Sequence, residues 1–89
     1  MAKVVIPYPM RKHTNKERLV VTPGQNLKEI LDNLQTAYPG LKDTFKSLDF
    51  ISLFLNGERI TKSPAEWGGV AVKENDEVTI ILPIAGGIL

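Results

Sequence analysis

The stretch NLKEILDNLQTAYPG, residues 26–40, decides how the rest of this chain can fold. Asn26 is a favourable helix N-cap, and Glu29 three positions later completes a variant of the capping box. Apolar residues recur at helical spacing and form one face: Leu27, Ile30, Leu31, Leu34 and Tyr38. Pro39 and Gly40 are typical of a helix end. The sequence therefore predicts one amphipathic helix, which needs an apolar surface to pack against.

Segments rich in β-branched residues lie on both sides of this helix and predict strands. Residues 3–8 and 18–22 precede it, and the short polar stretch between them indicates a hairpin. Residues 50–55 follow it and run into residues 56–57, Asn-Gly, a strong signal for a two-residue turn into another short strand. Residues 77–82, EVTIIL, form the last predicted strand.

Two shorter helical segments are also predicted after the main helix. Residues 41–48 carry apolar side chains at helical spacing and predict one or two turns. Ser63 is an N-cap residue followed by Pro64, with Glu66 three positions after the cap, which favours a further helical turn.

This order of elements restricts the architecture. With one main helix, the helix must cover one face of a mixed sheet. A right-handed crossover then lets the last strand lie parallel beside the first. The predicted fold is α+β, a ubiquitin-like β-grasp with a mixed four- to five-stranded sheet and one main helix on one face. We expect it to occupy residues 1–84 and to leave residues 85–89 as a flexible tail.

The composition is that of an ordinary globular domain. The 89 residues are 43% hydrophobic and 24% charged, which suits one small domain. The 11 Lys and Arg residues nearly balance the 10 Asp and Glu residues, so a dedicated nucleic-acid binder is not expected. The absence of cysteine excludes disulfides and thiolate metal sites. No apolar run approaches the length of a membrane span, and no signal-like segment begins the sequence. We therefore expect a cytoplasmic protein with neither a membrane nor a nucleic-acid partner.

The sequence offers little for catalysis by its own side chains. The single histidine, His13, lies in a basic stretch, residues 11–18, in which Glu17 is the only acid. This stretch is either a solvated loop or an electrostatic contact for an acidic partner. Neither a nucleophile triad, a metal-ligand cluster nor a phosphate-binding glycine loop is recognisable. We expect no catalytic residue, no metal site and no bound cofactor.

The carboxyl-terminal residues carry a clearer signal. Gly86 and Gly87 follow the last predicted strand and precede Ile88 and Leu89. Two glycines give a slender segment that can thread a narrow channel, because they lack Cβ atoms. Such a segment suits a carrier whose terminal carboxylate enters the active site of another protein. A frayed chain end is the alternative.

Alternation in the strands provides a second signal. In each predicted strand, one set of alternate positions holds apolar residues that are predicted to face the helix: Val4, Ile6, Leu19, Val21, Ile51, Leu53, Leu55, Val78, Ile80 and Leu82. The opposite parity is also apolar and gives the predicted docking residues: Val5, Val20, Phe54 and Ile81. With one helix available, this second face would be open to solvent and would mark a partner surface. Alternatively, residues 41–50 or a second copy of the chain cover it.

Residues 75–87, NDEVTIILPIAGG, resemble the ending of the ubiquitin-like sulfur-carrier proteins, the MoaD/ThiS family. That ending has a Gly-Asp-x-Val strand, a proline and a terminal Gly-Gly, and here Asn75 replaces the first glycine. The helix end at residues 38–40 and the hairpin at residues 55–58 are also similar. A few residues near the amino terminus look most like the branch that supplies sulfur for cysteine synthesis: Ile6, Pro7, Arg11, His13 and Thr14.

The resemblance implies a carrier whose chemistry is performed by partner enzymes. In the family, a ubiquitin-activating-type enzyme uses ATP to adenylate the terminal glycine carboxylate, sulfur displaces AMP, and the thiocarboxylate is delivered to a sulfur-acceptor synthase. In this sequence Gly87 would bear the sulfur and Gly86 would be the slender approach. The resemblance implies cysteine or a related sulfur metabolite as the product, with molybdopterin, thiamine and methionine synthesis as alternatives.

One departure from the family pattern has a direct consequence. Ile88 and Leu89 follow Gly87, so the carboxylate needed for adenylation is tied up in a peptide bond. The resemblance implies cleavage between Gly87 and Ile88 by a JAMM-type metalloprotease. Two other functions remain open: a ubiquitin-like modifier conjugated through Gly87, and a β-grasp binding module without any chemistry at its tail.

Overall fold

The computed structural model describes residues 1–46 and 51–82. Its elements follow one another in this order: strand β1 (Ala2–Val5), a 3₁₀ helix (Tyr8–His13), β2 (Leu19–Thr22), helix α1 (Leu27–Ala37), a 3₁₀ helix (Pro39–Leu41), α2 (Lys42–Phe45), β3 (Ser52–Leu55), β4 (Glu58–Arg59), a 3₁₀ helix (Pro64–Gly69) and β5 (Glu77–Ile81). The predicted contributions of Leu48 and Phe50, the boundary at residue 84 and the tail at residues 85–89 lie outside the described residues. No helix in the described part is long and apolar enough to cross a membrane.

The strands form one mixed sheet in the order β2-β1-β5-β3-β4. β1 pairs in parallel with β5, and all other neighbours are antiparallel. The register places Val5 opposite Thr79 on β5, so the first and last strands lie side by side at the centre of the sheet. The predicted mixed sheet, with its last strand parallel beside the first, is confirmed.

Helix α1 begins and ends where the sequence predicts. The Asn26 side chain accepts a hydrogen bond of 2.9 Å from the Glu29 backbone N–H. The Glu29 carboxylate in turn accepts from the N–H of Gln25, one residue before the N-cap. At the other end, the Tyr38 N–H donates to the Leu34 carbonyl. The apolar face of the helix is buried against the sheet: Leu27, Ile30, Leu31 and Leu34.

The short helical segments close the remaining sides of the core. Met10, Leu41, Phe45 and Trp67 all belong to the same buried cluster as the residues of α1. The Trp67 indole N–H donates a 3.0 Å hydrogen bond to the Lys62 carbonyl. Because Leu41 and Phe45 are buried on the helix side, the chain as far as residue 46 extends the core there and does not cover the opposite face of the sheet.

The predicted alternation is wrong in β2. Val20 is only 9% exposed, whereas Leu19 is 41% and Val21 57% exposed. The register explains the difference, because Val20 pairs with the fully buried Val4 and therefore shares its face. Leu19, Val20 and Val21 are all apolar, so the strand itself carries no signal for which parity faces the core. Val20 is thus a core residue and is removed from the predicted docking set.

The segment between β1 and β2 is more ordered than a simple polar loop. β1 ends at Val5, earlier than predicted, because Pro7 has no N–H to donate to a strand neighbour and a 3₁₀ helix begins at Tyr8. The helix ends at His13, and Asn15 and Lys16 then take positive φ values of 54° and 67°. These turns set the register of β2 and hence which of its residues are buried.

Candidate functional site

The face of the sheet turned away from α1 carries a row of residues in direct cross-strand register, one from each strand. From β2 to β4 the row contains Leu19, Val5, Thr79, Phe54 and Arg59. Residues that pair directly in a sheet project from the same face. The row therefore runs across the whole width of the sheet.

Five apolar residues on this face form what we call the outer-face patch: Val5, Leu19, Val21, Phe54 and Ile81. Leu19, Val21 and Ile81 are exposed, the last by 45%, and the other two are half-buried. Three of the four predicted docking residues lie on the patch: Val5, Phe54 and Ile81. Sequence reasoning missed Leu19 and Val21, and only the pairing of β2 with β1 could have found them. Apolar side chains left on an open face of a sheet are typical of a protein-binding surface.

The carboxyl end of β5 lies at the centre of one edge of the sheet. β1 runs parallel to β5, so both strands end at this edge, and Ser52 at the start of β3 pairs with Ile81 there. The sequence continues from Leu82 towards Gly86 and Gly87. These two glycines, and the predicted cleavage site between Gly87 and Ile88, lie outside the described residues. The described part places Ile81 of the outer-face patch immediately before this segment.

A basic pocket lies in the segment that follows β1. Its volume is about 600 Å³, and its lining residues are Tyr8, Pro9, Arg11, Lys12 and Lys16. The Arg11 Nε donates a 3.0 Å hydrogen bond to the Ile6 carbonyl. The Arg11 guanidinium carbon also lies 5.7 Å from the centre of the Tyr8 ring, within the range of a cation–π contact.

His13 packs against the turn that ends α1. It is half-buried, and a Cβ atom placed on Gly40 would lie 2.6 Å from its Nδ1 atom. The absence of a side chain at Gly40 therefore makes room for the imidazole. This contact gives His13 a packing role.

The perturbed titratable groups lie away from the carboxyl end of β5. The hydrogen bond and charge of Asp32 raise the pKa of Lys28 on the exposed side of α1. At the opposite end of β5, the Lys73 backbone N–H and then the Asn56 side chain lower the pKa of Asp76. Within residues 1–46 and 51–82, no group of three or more His, Cys, Asp or Glu residues could hold a metal ion. The arrangement offers an apolar outer face and a strand that precedes the two glycines in the sequence.

Comparison with known proteins gives both a sequence relative and structural neighbours. The sulfur carrier protein CysO of Mycobacterium tuberculosis is 29% identical over 93 aligned residues, which cover 94% of this chain and 96% of the relative. A chain in the crystal structure of the Amycolatopsis orientalis BexX/CysO complex is 30% identical, with a TM-score of 0.82, and the match covers 98% of this chain and 100% of that chain.

Two neighbours of lower sequence identity share the fold. The crystal structure of Mycobacterium tuberculosis CysO has a TM-score of 0.79 at 23% identity, covering 94% of this chain and all of that one. The solution structure of the small archaeal modifier protein SAMP1 from Methanosarcina acetivorans has a TM-score of 0.75 at 23% identity, covering 97% and 95%. These similarities confirm the predicted β-grasp.

The ThiS family model matches residues 4–87, nearly the whole chain, and its match ends at Gly87. This agrees with the resemblance noted in residues 75–87. The chain therefore belongs to the ThiS family, the ubiquitin-like sulfur carriers that its carboxyl-terminal sequence resembles.

Proposed function

We propose that this chain is a sulfur carrier whose Gly87 carboxylate, once Ile88 and Leu89 are removed, is adenylated and converted to a thiocarboxylate. The observation that carries the proposal is the match to the ThiS family, which spans the fold and ends at Gly87. The position of β5 at the centre of the sheet supports it, because the strand leading to the glycines is held by neighbours on both sides.

The proposed chemistry needs two displacement steps. A Gly87 carboxylate oxygen attacks the α-phosphorus of ATP, and pyrophosphate leaves as the acyl-adenylate forms. A sulfide ion (HS⁻) released by a sulfur donor then attacks the glycine carbonyl carbon, AMP leaves, and loss of the sulfide proton gives the thiocarboxylate. The partner enzyme would stabilise the charge that develops in both steps. The carrier acts as a co-substrate and is not itself an enzyme.

Trimming of the chain must precede activation. While Ile88 is attached, Gly87 has an amide carbonyl and no carboxylate oxygen to attack ATP. We propose that a JAMM-type metalloprotease cleaves between Gly87 and Ile88. The activating enzyme would be of the ubiquitin-activating type, and a sulfur-acceptor synthase would consume the thiocarboxylate. We propose that trimming, activation and sulfur transfer take place in the cytoplasm.

The proposed product is cysteine or a related sulfur metabolite. Support comes from the similarity to the sulfur carrier protein CysO and from the resemblance of residues 6–14 to the cysteine branch. Molybdopterin, thiamine and methionine synthesis are the alternatives. Comparing sulfur transfer from the charged carrier to acceptor synthases of each pathway distinguishes them.

The outer-face patch is the proposed docking surface for the activating enzyme. The patch is apolar, it extends to Ile81 just before the tail, and it lies on the side of the sheet that α1 leaves open. A protein docked there would hold the segment after β5 close to its own active site. A similar carrier, CysO of Amycolatopsis orientalis, forms a complex with another protein, BexX, which supports the general expectation that this chain binds a partner protein.

The decisive experiment is the intact mass of the protein isolated from its own cells under sulfur demand. We expect loss of Ile88 and Leu89 and a fraction heavier by one oxygen-to-sulfur exchange. In vitro, a chain ending at Gly87 should be charged with sulfur in the presence of ATP and the activating enzyme, and the full-length chain should serve as the uncharged control.

Other outcomes would overturn the proposal. An untrimmed mass without any sulfur-bearing species would favour a binding module without chemistry at its tail. Higher-mass isopeptide conjugates through Gly87, without a thiocarboxylate, would identify the chain as a protein modifier.

A further inference from the structure

We propose that the basic pocket binds an acidic segment of the activating enzyme, the protein that takes up the carrier's tail for adenylation. The pocket is lined by Tyr8, Pro9, Arg11, Lys12 and Lys16. The inference deepens the proposed function and rests on it for the role of that partner. It adds an electrostatic contact, separate from the outer-face patch, at the edge of the sheet where β5 ends.

The segment that forms the pocket is held in one conformation by its own hydrogen bonds. Thr14 is fully buried, and its hydroxyl donates a 2.9 Å hydrogen bond to the Glu17 carbonyl. The Lys16 backbone N–H donates to the Arg11 carbonyl at 2.8 Å. The Ile6 N–H donates to the Arg18 carbonyl at 2.7 Å, which closes the base of the segment. A site formed in advance loses less conformational entropy when a ligand binds.

Arg11 is fixed in the wall of the pocket by two contacts. Its Nε donates to the Ile6 carbonyl, and its guanidinium lies over the Tyr8 ring. A guanidinium held in this way is well suited to bind a carboxylate, since its planar fork is already oriented. Lys12 and Lys16 are exposed and add two positive charges to the lining.

The cations of the pocket form no ion pair with an acid in the described part of the chain, although Glu17 follows Lys16 in sequence. Three ion pairs occur among residues 1–46 and 51–82, and none includes a cation of the pocket: Met1 amino group–Glu74, Lys28–Asp32 and Lys46–Asp43. The whole chain carries a net charge of only +1, so this cluster is a local concentration of positive charge on a nearly neutral protein. Such a cluster attracts an acidic surface and orients it during encounter.

The position of the pocket connects it to the tail. β1 and β5 are parallel and end at the same edge of the sheet, with Val5 opposite Thr79. Tyr8 follows β1 by only three residues, and the sequence continues from β5 towards Gly86 and Gly87. A protein that takes up the tail therefore approaches the pocket as well, and its acidic residues would meet the cations there.

The lining favours a peptide segment over a small anion. Tyr8 is 80% exposed, and together with Pro9 it gives the pocket apolar surface beside its cations. A phosphate ion has no apolar atoms to use this surface, whereas the side chains of a peptide do. A volume of about 600 Å³ also exceeds what a single small anion would fill.

The first test is an NMR titration of the full chain with a synthetic peptide of alternating glutamate and leucine. We expect amide shifts concentrated in residues 8–18, and a matched peptide with glutamine in place of glutamate should cause none. The double variant Lys12→Glu/Lys16→Glu should weaken peptide binding about fivefold to tenfold, because two attractions become repulsions. The matched control, Lys62→Glu/Lys73→Glu, makes the same change in net charge at exposed lysines outside the pocket and should bind like the wild type.

Either of two results would overturn the inference. One is that the acidic peptide shifts the amide signals of lysines over the whole surface to the same extent. The other is inorganic phosphate producing the same shifts as the peptide at equal concentration, which would assign the pocket to a small anion. All four exposed lysines can be replaced without disturbing the core, and circular dichroism of each variant checks that the fold is kept.

A second measurement separates this inference from the proposed function. In ATP-dependent charging of chains ending at Gly87, the Lys12→Glu/Lys16→Glu variant should raise the KM for the carrier and leave kcat unchanged. If it is charged with wild-type KM, the pocket inference is wrong and the carrier function stands. If the wild-type chain is never charged although the acidic peptide binds at residues 8–18, the carrier function fails and the pocket remains a peptide-binding site.

Discussion

Individual residues with unusual backbone angles or hydrogen bonds hold the connections of this fold. At the β3–β4 turn, Asn56 has a φ of 52° and Gly57 a φ of 85°, as the Asn-Gly sequence predicts for a tight hairpin. The Asn56 side chain also donates to Asp76 and accepts from the Glu77 N–H. This small network joins the hairpin to the start of β5.

Gly24 is a position where the backbone requires glycine. Its φ is +148°, and an added Cβ would lie 2.9 Å from both the backbone nitrogen and the Cδ1 atom of Ile30. We expect Gly24→Ala to lower the free energy of unfolding by about 2 kcal/mol, measured by urea denaturation. Gly69→Ala is the control, since a Cβ atom added there would have no neighbour within 4 Å, and it should change stability by less than about 0.5 kcal/mol. Equal effects of the two substitutions would contradict this assignment.

Asp76 should make stability depend on pH. The Lys73 backbone N–H and the Asn56 side chain donate to its carboxylate and lower its pKa in the folded state. A carboxyl group whose pKa is lowered by folding stabilises the folded protein at pH values above its ordinary pKa. That stabilisation is lost as the pH falls through the lowered folded-state pKa. Asp76→Asn should therefore be less stable than the wild type at pH 7, and the difference should shrink in acid. Denaturation of both proteins at a series of pH values tests this, and a constant difference would be evidence against it.

At the scale of elements, local sequence signals predict where the helices lie better than they predict which strand residues face the core. α1 was predicted from its cap, its apolar spacing and its Pro-Gly end, all of which lie within residues 26–40. The facing of β2 was predicted wrongly, because three consecutive apolar residues fit either parity and the register depends on the turns at Asn15 and Lys16. The same error hid two residues of the outer-face patch.

The two faces of β2 give a direct test at this scale. Val20→Ala should lower the free energy of unfolding by about 2 kcal/mol, because it leaves a cavity in the core beside Val4. Leu19→Ala removes an exposed side chain and should change stability by less than about 0.5 kcal/mol. Both values come from urea denaturation of the full chain. A larger loss of stability from Leu19→Ala than from Val20→Ala would mean that Leu19 faces the core, as alternation alone predicts.

At the scale of the whole molecule, the sheet has one face packed on α1 and an opposite face that carries the outer-face patch. The parallel pairing of β1 with β5 brings Ile81 of the outer-face patch, the basic pocket and the end of β5 to one edge.

Substitutions in the outer-face patch test whether it binds the activating enzyme. Phe54→Ala and Ile81→Ala truncate apolar side chains on the outer face, and we expect each to weaken binding to the activating enzyme about tenfold. Thr36→Ala, on the exposed side of α1, is the control and should bind normally. Calorimetric titration with the activating enzyme measures all three. Unchanged binding by both patch variants would show that the enzyme docks elsewhere.

The sequence by itself determined the main helix, the Asn-Gly hairpin, the positions of most strands along the chain and the Gly-Gly segment, because each depends on residues close together in the chain. The tertiary structure decided which face of β2 is buried, how Arg11 is held in a basic pocket, and that this pocket shares an edge of the sheet with the end of β5. Those features depend on pairing between segments such as Val5 and Thr79, which are far apart in sequence. Their register is set by packing and turn geometry, and local patterns of apolar residues do not encode it uniquely.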